Sequence, residues 1–315
     1  MNIQIHLRPT ITASAAIDAI RQRAVIREHG ALTPLRLLGL EDRYQARLDW
    51  RKRTGRPIPV ADSAALEGFR KEIAGRSKIE MEIAREEFRR RNKFWTYFPD
   101  EGPVRRELYP RHMEVVSYTK EDDEIMMMAA NKVGKTQLGA YCVTAWATGR
   151  YPSWWPGRVF EDPIIAWVCN KTAKDVRDIN EAELLGPTGN DSERGTGMLP
   201  GHMIGKCTPK TGTPHAFEFI QVEHVSGLWS TIVSKSYDQG REAFQGRNIP
   251  VIWNDEEVPK DVADEEKLRI MTVSGVILYT YTPVLGLTEF TQEFMEQAGL
   301  SIEAMREREE ELSAE

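Results

Sequence analysis

The chain of 315 residues carries only three cysteines. Cys142, Cys169 and Cys207 stand far apart with no Cys-x-x-Cys pair, which excludes a disulfide framework and a cysteine-based zinc site. No run of about 18 apolar residues occurs, so no membrane-crossing helix is expected. Met1 to Thr10 lacks the basic-then-apolar plan of a secretion leader, and a cytosolic protein with reduced thiols is the expectation. Internal repeats and low-complexity tracts are absent too. His202, His215 and His224 are scattered without metal-ligand spacing, which predicts structural or exposed roles. With 41% hydrophobic and 29% charged residues, the chain is a folded one, not a disordered one.

The net charge of −6 conceals an uneven spread. Residues 1 to 100 carry +7 and the remainder −13. A polyanion such as nucleic acid would therefore be attracted locally, unless the basic segment is no more than a set of solvated helix faces. From Thr12 to Lys93 apolar residues recur at helical spacing in Ala16-Ile17-Ile20-Val25-Ile26, in Leu66-Phe69-Ile73 and in Ile79-Ile83-Phe88. Breaks at Gly30 to Pro34 and Gly55 to Pro59 read as loops. After Phe94 the texture changes to short apolar runs: Ile125 to Met128, Ile164 to Val168, Phe217 to Ile220, Ser230 to Val233, Pro250 to Trp253 and Val276 to Tyr279. Helical stretches follow two of them, at Gln137 to Thr148 and Thr172 to Leu184. This alternation predicts an α/β fold with a mostly parallel, buried sheet. From Thr288 the chain reads as helical again and closes in the acidic run Glu307 to Glu311.

The strongest chemical signal is Ala129-Ala130-Asn131-Lys132-Val133-Gly134-Lys135-Thr136, set between an apolar strand and a helix. It fits the Walker A phosphate loop with Ala in place of the first Gly. Backbone N–H groups and the helix N-terminus would face phosphates, Lys135 would reach the terminal ones, and the Thr136 hydroxyl would join an Mg²⁺ shell. Gly134 permits close backbone approach. The candidate nucleotide contacts are Ala129, Asn131, Val133, Gly134, Lys135, Thr136 and Gln137. Further along, Pro250 to Glu257 is an apolar strand ending in carboxylates, the form of a Walker B segment. Asp255 is the candidate metal acid and Glu256 the candidate base, with Glu257 taking that role if the strand register differs by one.

With these two motifs in place the chain resembles the ATPase domain of the large terminase subunit, the motor that packages DNA into tailed-phage capsids. Leu108 to His112 is similar to the adenine-side motif of these motors. Asn131 to Thr136 resembles their variant Walker A, whose early basic residue is here Lys132. Gly149 to Gly157 resembles a Gly-x-Tyr-Pro-x-Trp-Trp segment, Lys235 to Gly246 a stretch before Walker B, and Tyr279 to Gly286 the Thr-rich coupling motif. The likeness spans about residues 94 to 290.

The resemblance implies a P-loop NTPase fold of the RecA-like kind with a helical, basic region at 1–93, the ATPase domain at 94–290 and an acidic helix or linker at 291–315. It implies ATP and Mg²⁺ as cofactors, with Lys132 adding charge beside Lys135 and Glu256. Double-stranded DNA is the implied partner, bound without regard to sequence, together with a portal protein and a small terminase subunit. A homo-oligomeric ring on the portal, a monomer in isolation, and a place in the host cytoplasm docked on the procapsid are implied as well. The nuclease domain usual in the family finds no room, and the expectation is an excised ATPase domain, the other reading being a nuclease on another chain.

Several roles stay open on sequence alone. Tyr109 and His112 would contact adenine or anchor a loop. Trp154 and Trp155 are expected in a core or interface. Thr280 and Thr282 would sense the nucleotide, or reflect β-propensity at a strand end. An arginine finger is expected, with Arg241, Arg247, Arg150 and Arg158 as candidates. Competing functions are a helicase-like ATPase and a non-catalytic, nucleotide-dependent assembly module.

Overall fold

A computed structural model of the protein describes residues 34–57, 78–283, 286 and 288–300. The helical patterns at Ala16 to Ile26 and Leu66 to Ile73, the acidic run Glu307 to Glu311, and Val284 and Leu285 of the Thr-rich motif lie outside the described residues.

Seven strands form one sheet: β1 (Glu124–Met128), β2 (Ile165–Asn170), β3 (Ile204–Pro209), β4 (Phe217–Glu223), β5 (Trp229–Ser236), β6 (Val251–Asp255) and β7 (Val276–Tyr281). Their order is β1-β7-β6-β2-β5-β4-β3. The first five in that order are parallel neighbours, while β4 and β3 run antiparallel at the edge. All six apolar runs are strands of this sheet. β3 is the addition, and its Gly205, Lys206 and Pro209 make no apolar run. A lightly buried edge strand needs none, and tolerates a terminal proline. Every residue of β6 and β7 is buried, as parallel strands covered on both faces require.

The helices are α1 (Pro34–Thr54), α2 (Lys78–Arg90), α3 (Lys93–Thr96), α4 (Pro110–Tyr118), α5 (Lys135–Thr148), α6 (residues 173–185), α7 (Lys260–Ile270) and α8 (Glu289–Gln297). Apolar on nearly every side, α5 is buried along almost its whole length, the signature of a central helix. It covers one face of the sheet with Leu138, Tyr141 and Trp146, whereas Val262 and Ile270 of α7 and Phe290 of α8 cover the other. Gly139 faces the indole of Trp253 on β6: a Cβ there would lie 2.1 Å from the ring. That glycine costs α5 helix propensity but lets the helix sit directly on β6.

The described part of the basic N-terminal region packs on this body. Asp42 of α1 forms a two-pronged ion pair with Arg150 at 2.6 and 2.8 Å. Arg47 reaches Glu223, the last residue of β4, at 2.6 Å, and Trp50 donates to the Glu161 carbonyl at 3.1 Å. Part of the positive charge of residues 1–93 thus goes into clamping α1.

Candidate active site

Parallel strands gather their C-terminal ends at one rim, and ligands of open α/β sheets bind outside that rim. Here β1 delivers Ala129 to Gly134, β6 delivers Asp255 and Glu256, and β7 lies between them. The two nucleotide motifs are therefore bridged by Thr280 and Thr282, at and just past the end of β7.

The loop is shaped by its backbone. Lys132 and Gly134 have φ of 65° and 88°, so the chain takes a left-handed backbone on either side of Val133. A Cβ on Gly134 would also lie 3.2 Å from His112 Nε2, which fits glycine alone. As the N-cap residue of α5, Gly134 offers no side chain, and the helix's first N–H groups have no side-chain cap. That is the donor array a phosphate needs.

Lys135 is buried and donates to the carbonyls of Ala129 and Ala130 at 2.9 and 2.7 Å and to Thr282 Oγ1 at 2.9 Å. Burial holds its ammonium below the usual lysine range, countered by Glu256 and Asp255. Thr282 Oγ1 donates in turn to Asn131 Oδ1 at 2.8 Å. Asp255 receives the Thr136 hydroxyl at 3.2 Å and the Thr280 hydroxyl at 2.8 Å. Burial pushes its carboxyl up to about 7, despite those hydroxyl donors. No ion pair neutralises it among the described residues, and no cluster of three His, Cys, Asp or Glu forms a metal cage there. One carboxylate and one hydroxyl completed by phosphate oxygens and water is how Mg²⁺ is commonly held at nucleotide sites, so the residues present fit that ion.

Glu256 and Glu257 are distinguished by location. Glu256 has φ of 72°, a left-handed backbone that costs a non-glycine residue about 1–3 kcal/mol. Its N–H donates to the Thr280 carbonyl at 2.9 Å, and its carboxylate lines the cleft 3.5 Å from Lys171 Nζ. Glu257 is turned away, accepting from the hydroxyls of Thr288 and Thr291 at the start of α8.

The cleft encloses about 330 Å³, with Lys132, Gln137, Asp178 and Glu183 on its walls. The α6 wall went unrecognised in the sequence. α6 contains a π-helical stretch, Val176–Glu181, and apolar periodicity does not reveal such a turn. Gln137 donates to Glu183 at 3.1 Å, and Lys93 pairs with the same carboxylate at 3.2 Å.

Other candidates lie elsewhere. His112 is buried beneath the loop, hydrogen-bonded to the Val133 backbone, its ring held below the usual histidine range by burial. Tyr109 packs edge-on to Phe98 and His112. His112 supports the loop, Tyr109 packs behind it, and neither lines the cleft. Trp154 and Trp155 join the aromatic packing around Tyr141. Two finger candidates are withdrawn. Arg150 is 3% exposed and committed to Asp42, with no reach to another molecule. Arg158 binds the Asp122, Ser274 and Gly275 carbonyls at the N-terminal ends of β1 and β7, the pole opposite the cleft. Arg241 is exposed but paired with Glu265 at 3.1 Å. Arg247 is exposed.

Comparison with known proteins places the chain among relatives. The chain is 27% identical over 210 residues to the terminase large subunit of Salmonella phage P22, covering 61% of this chain and 42% of that protein. A solved structure of the large terminase from a thermophilic bacteriophage, in complex with ADP, is similar at 15% identity and a TM-score of 0.41, over 59% of this chain and 42% of that one. The chain thus spans about two fifths of the length of these relatives. Residues 126–313 match the family model described as terminase large subunit, T4likevirus-type, N-terminal, and the chain belongs to that family.

Proposed function

We propose that this chain is the ATP-hydrolysing motor part of a viral DNA-packaging terminase. The observation that carries the reading is the double bridge from one strand end: Thr282 touches the phosphate-loop lysine while Thr280 touches the buried Asp255.

In this reading the loop N–H groups and Lys135 hold the β- and γ-phosphates, and Lys132 adds charge from the rim. Thr136 and Asp255 would hold Mg²⁺, which when bound supplies charge neutralisation on the phosphate oxygens. Glu256 takes a proton from a water whose oxygen attacks the γ-phosphorus as the bond to the β–γ bridging oxygen breaks, leaving ADP and phosphate. When the γ-phosphate departs, Lys135 regains Thr282 as partner, and that exchange shifts β7. A finger from a neighbouring copy completes the charge balance, with Arg241 and Arg247 as candidates. DNA is gripped through its phosphates, irrespective of sequence. Portal and small-subunit partners, a ring on the procapsid and a host-cytoplasmic site belong to the same reading.

The test is ATP hydrolysis with Mg²⁺ over a wide range of protein concentration, with and without double-stranded DNA. The expected result is activity rising faster than in proportion to concentration and vanishing in Lys135→Ala. ATP binding without hydrolysis, even at high concentration with DNA, would replace the motor with an assembly module.

A further inference from the structure

We infer that a basic concavity on the sheet face opposite α5 is a docking site for the phosphate backbone of double-stranded DNA, which rests on the motor reading above. Trp167 of β2 and Val233 of β5 point away from α5. Beyond the cover of α7, their face opens into a hollow of about 490 Å³ bordered by Lys210, Lys235 and Arg247, with Glu218 as the one acid on its wall.

Three features make it a phosphate site. First, the cations lack carboxylate partners. Neither Lys210 nor Arg247 forms an ion pair among the described residues. The Lys235 ammonium is held by the Ala243 carbonyl and by the faces of Trp167 and Phe244, at 4.8 and 5.4 Å. Lys210, Lys235 and Arg247 thus bring three such cations to the border of one hollow, in a chain whose 48 acids outnumber its 42 bases. Second, Trp167 is only 3% exposed, while Gln239 and Gln245 also line the hollow. It therefore presents cations and amides, not an apolar socket, and that chemistry suits a row of phosphates better than a protein segment. Third, the hollow is wired to the cleft. Lys235, Gln239 and Gln245 belong to the Lys235–Gly246 stretch, in which the nucleotide chemistry has a use for Arg241 alone, as a finger candidate. In the same stretch the Tyr237 hydroxyl reaches the carbonyl of Glu256 at 3.2 Å and Asn254 Oδ1 at 3.2 Å. A load on this surface thus bears on the end of β6 through a single side chain.

Anisotropy of a fluorescein-labelled duplex, titrated with protein from about 50 to 200 mM NaCl, tests the inference. Lys210→Ala and Arg247→Ala are each expected to reduce the slope of log affinity against log salt by about 0.9, and the double variant by twice that. Lys120→Ala, exposed at the opposite pole, is expected to match the wild type. Thermal melting checks that each variant is folded. Wild-type slope and affinity in the double variant would overturn the docking site and leave the motor reading standing. So would a loss of self-association with DNA binding unchanged. A wild-type protein that binds no duplex at any salt would remove the motor reading itself.

Discussion

Replacing Gly139 by alanine should destabilise this protein, against the rule that alanine is the better helix former. In an exposed helix interior the change would stabilise by about 0.5–1 kcal/mol. Here the new methyl would lie 2.1 Å from Trp253 Cε2 and 2.2 Å from its Nε1, well inside van der Waals contact. The indole is fully buried, so it has no free volume to swing into. Its Nε1 donates to Thr280 Oγ1 at 2.7 Å, and Thr280 in turn holds Asp255. Overpacking a filled core costs about 1–3 kcal/mol, and loss of the buried hydrogen bond about 1 kcal/mol more. Set against the propensity gain, the net loss is about 2 kcal/mol, a fall in Tm of roughly 4–8 °C for a domain of about 200 residues. Differential scanning fluorimetry measures it directly. A double-mutant cycle with Trp253→Phe should show favourable coupling of about 1 kcal/mol or more, because the smaller ring makes room for the methyl. An alanine variant as stable as the wild type, or strictly additive energies, would refute the packing argument.

The buried acids make stability depend on pH. Glu266 is fully buried with its Oε2 accepting from Asn254 at 2.6 Å, and burial pushes it to about 8. A folded-state value above the unfolded 4.5 favours the neutral acid, so stability is lost as pH rises between about 4.5 and 8. Glu266→Gln should remove a few kcal/mol of that loss, and urea titrations at pH 5 and 9 should show the variant gaining on the wild type only at the higher pH. Asp255, raised to about 7, acts with the same sign. Asp255→Asn should melt higher than the wild type at pH 8 without ligand, yet lose any Mg²⁺-dependent gain in Tm with ATP. At the other pole of the molecule, Arg150 and His202 hold the Asp42 carboxyl well below its usual range in spite of its burial. Arg150→Ala should cost about 3 kcal/mol by leaving that mostly buried carboxylate with His202 as its remaining partner, and Arg150→Lys should recover only part of it, since lysine lacks the two-pronged fork. Chemical denaturation of the three proteins checks both.

What the sequence made legible followed from chemistry that leaves a local trace. The Ala129 to Thr136 loop, the acidic end of β6 and the Thr-rich end of β7 are each encoded by contiguous residues, and all three converge on one rim. The parallel strands were visible because both of their faces are buried and they read as continuous apolar runs. β3 was not, because an edge strand is selected for pairing more than for burial. The wall contributed by α6 was hidden for another reason: Asp178 and Glu183 reach the cleft through a π-helical turn that shifts the face they present. Long-range pairings were invisible as well. Nothing in the local sequence of Arg150 shows Asp42 as its partner 108 residues earlier, and so a clamped structural arginine resembled a candidate finger. His112 differs again: its neighbourhood in sequence was informative, but its buried place beneath Gly134 depends on where α4 sits against the loop.

The central claim is that the cleft is a nucleotide-hydrolysing site in which Glu256, and not its neighbour, activates water. Single-turnover hydrolysis of ATP by the wild type, Glu256→Gln and Glu257→Gln, with ATP binding measured in parallel, tests it most directly. The account expects Glu256→Gln to bind ATP with Mg²⁺ as the wild type does and to lose hydrolysis by roughly 10²-fold or more, as removal of a general base does. It expects Glu257→Gln to keep hydrolysing, with a lower Tm from the lost hydroxyl contacts at the start of α8. Full hydrolysis in Glu256→Gln, or its loss in Glu257→Gln alone, would contradict it.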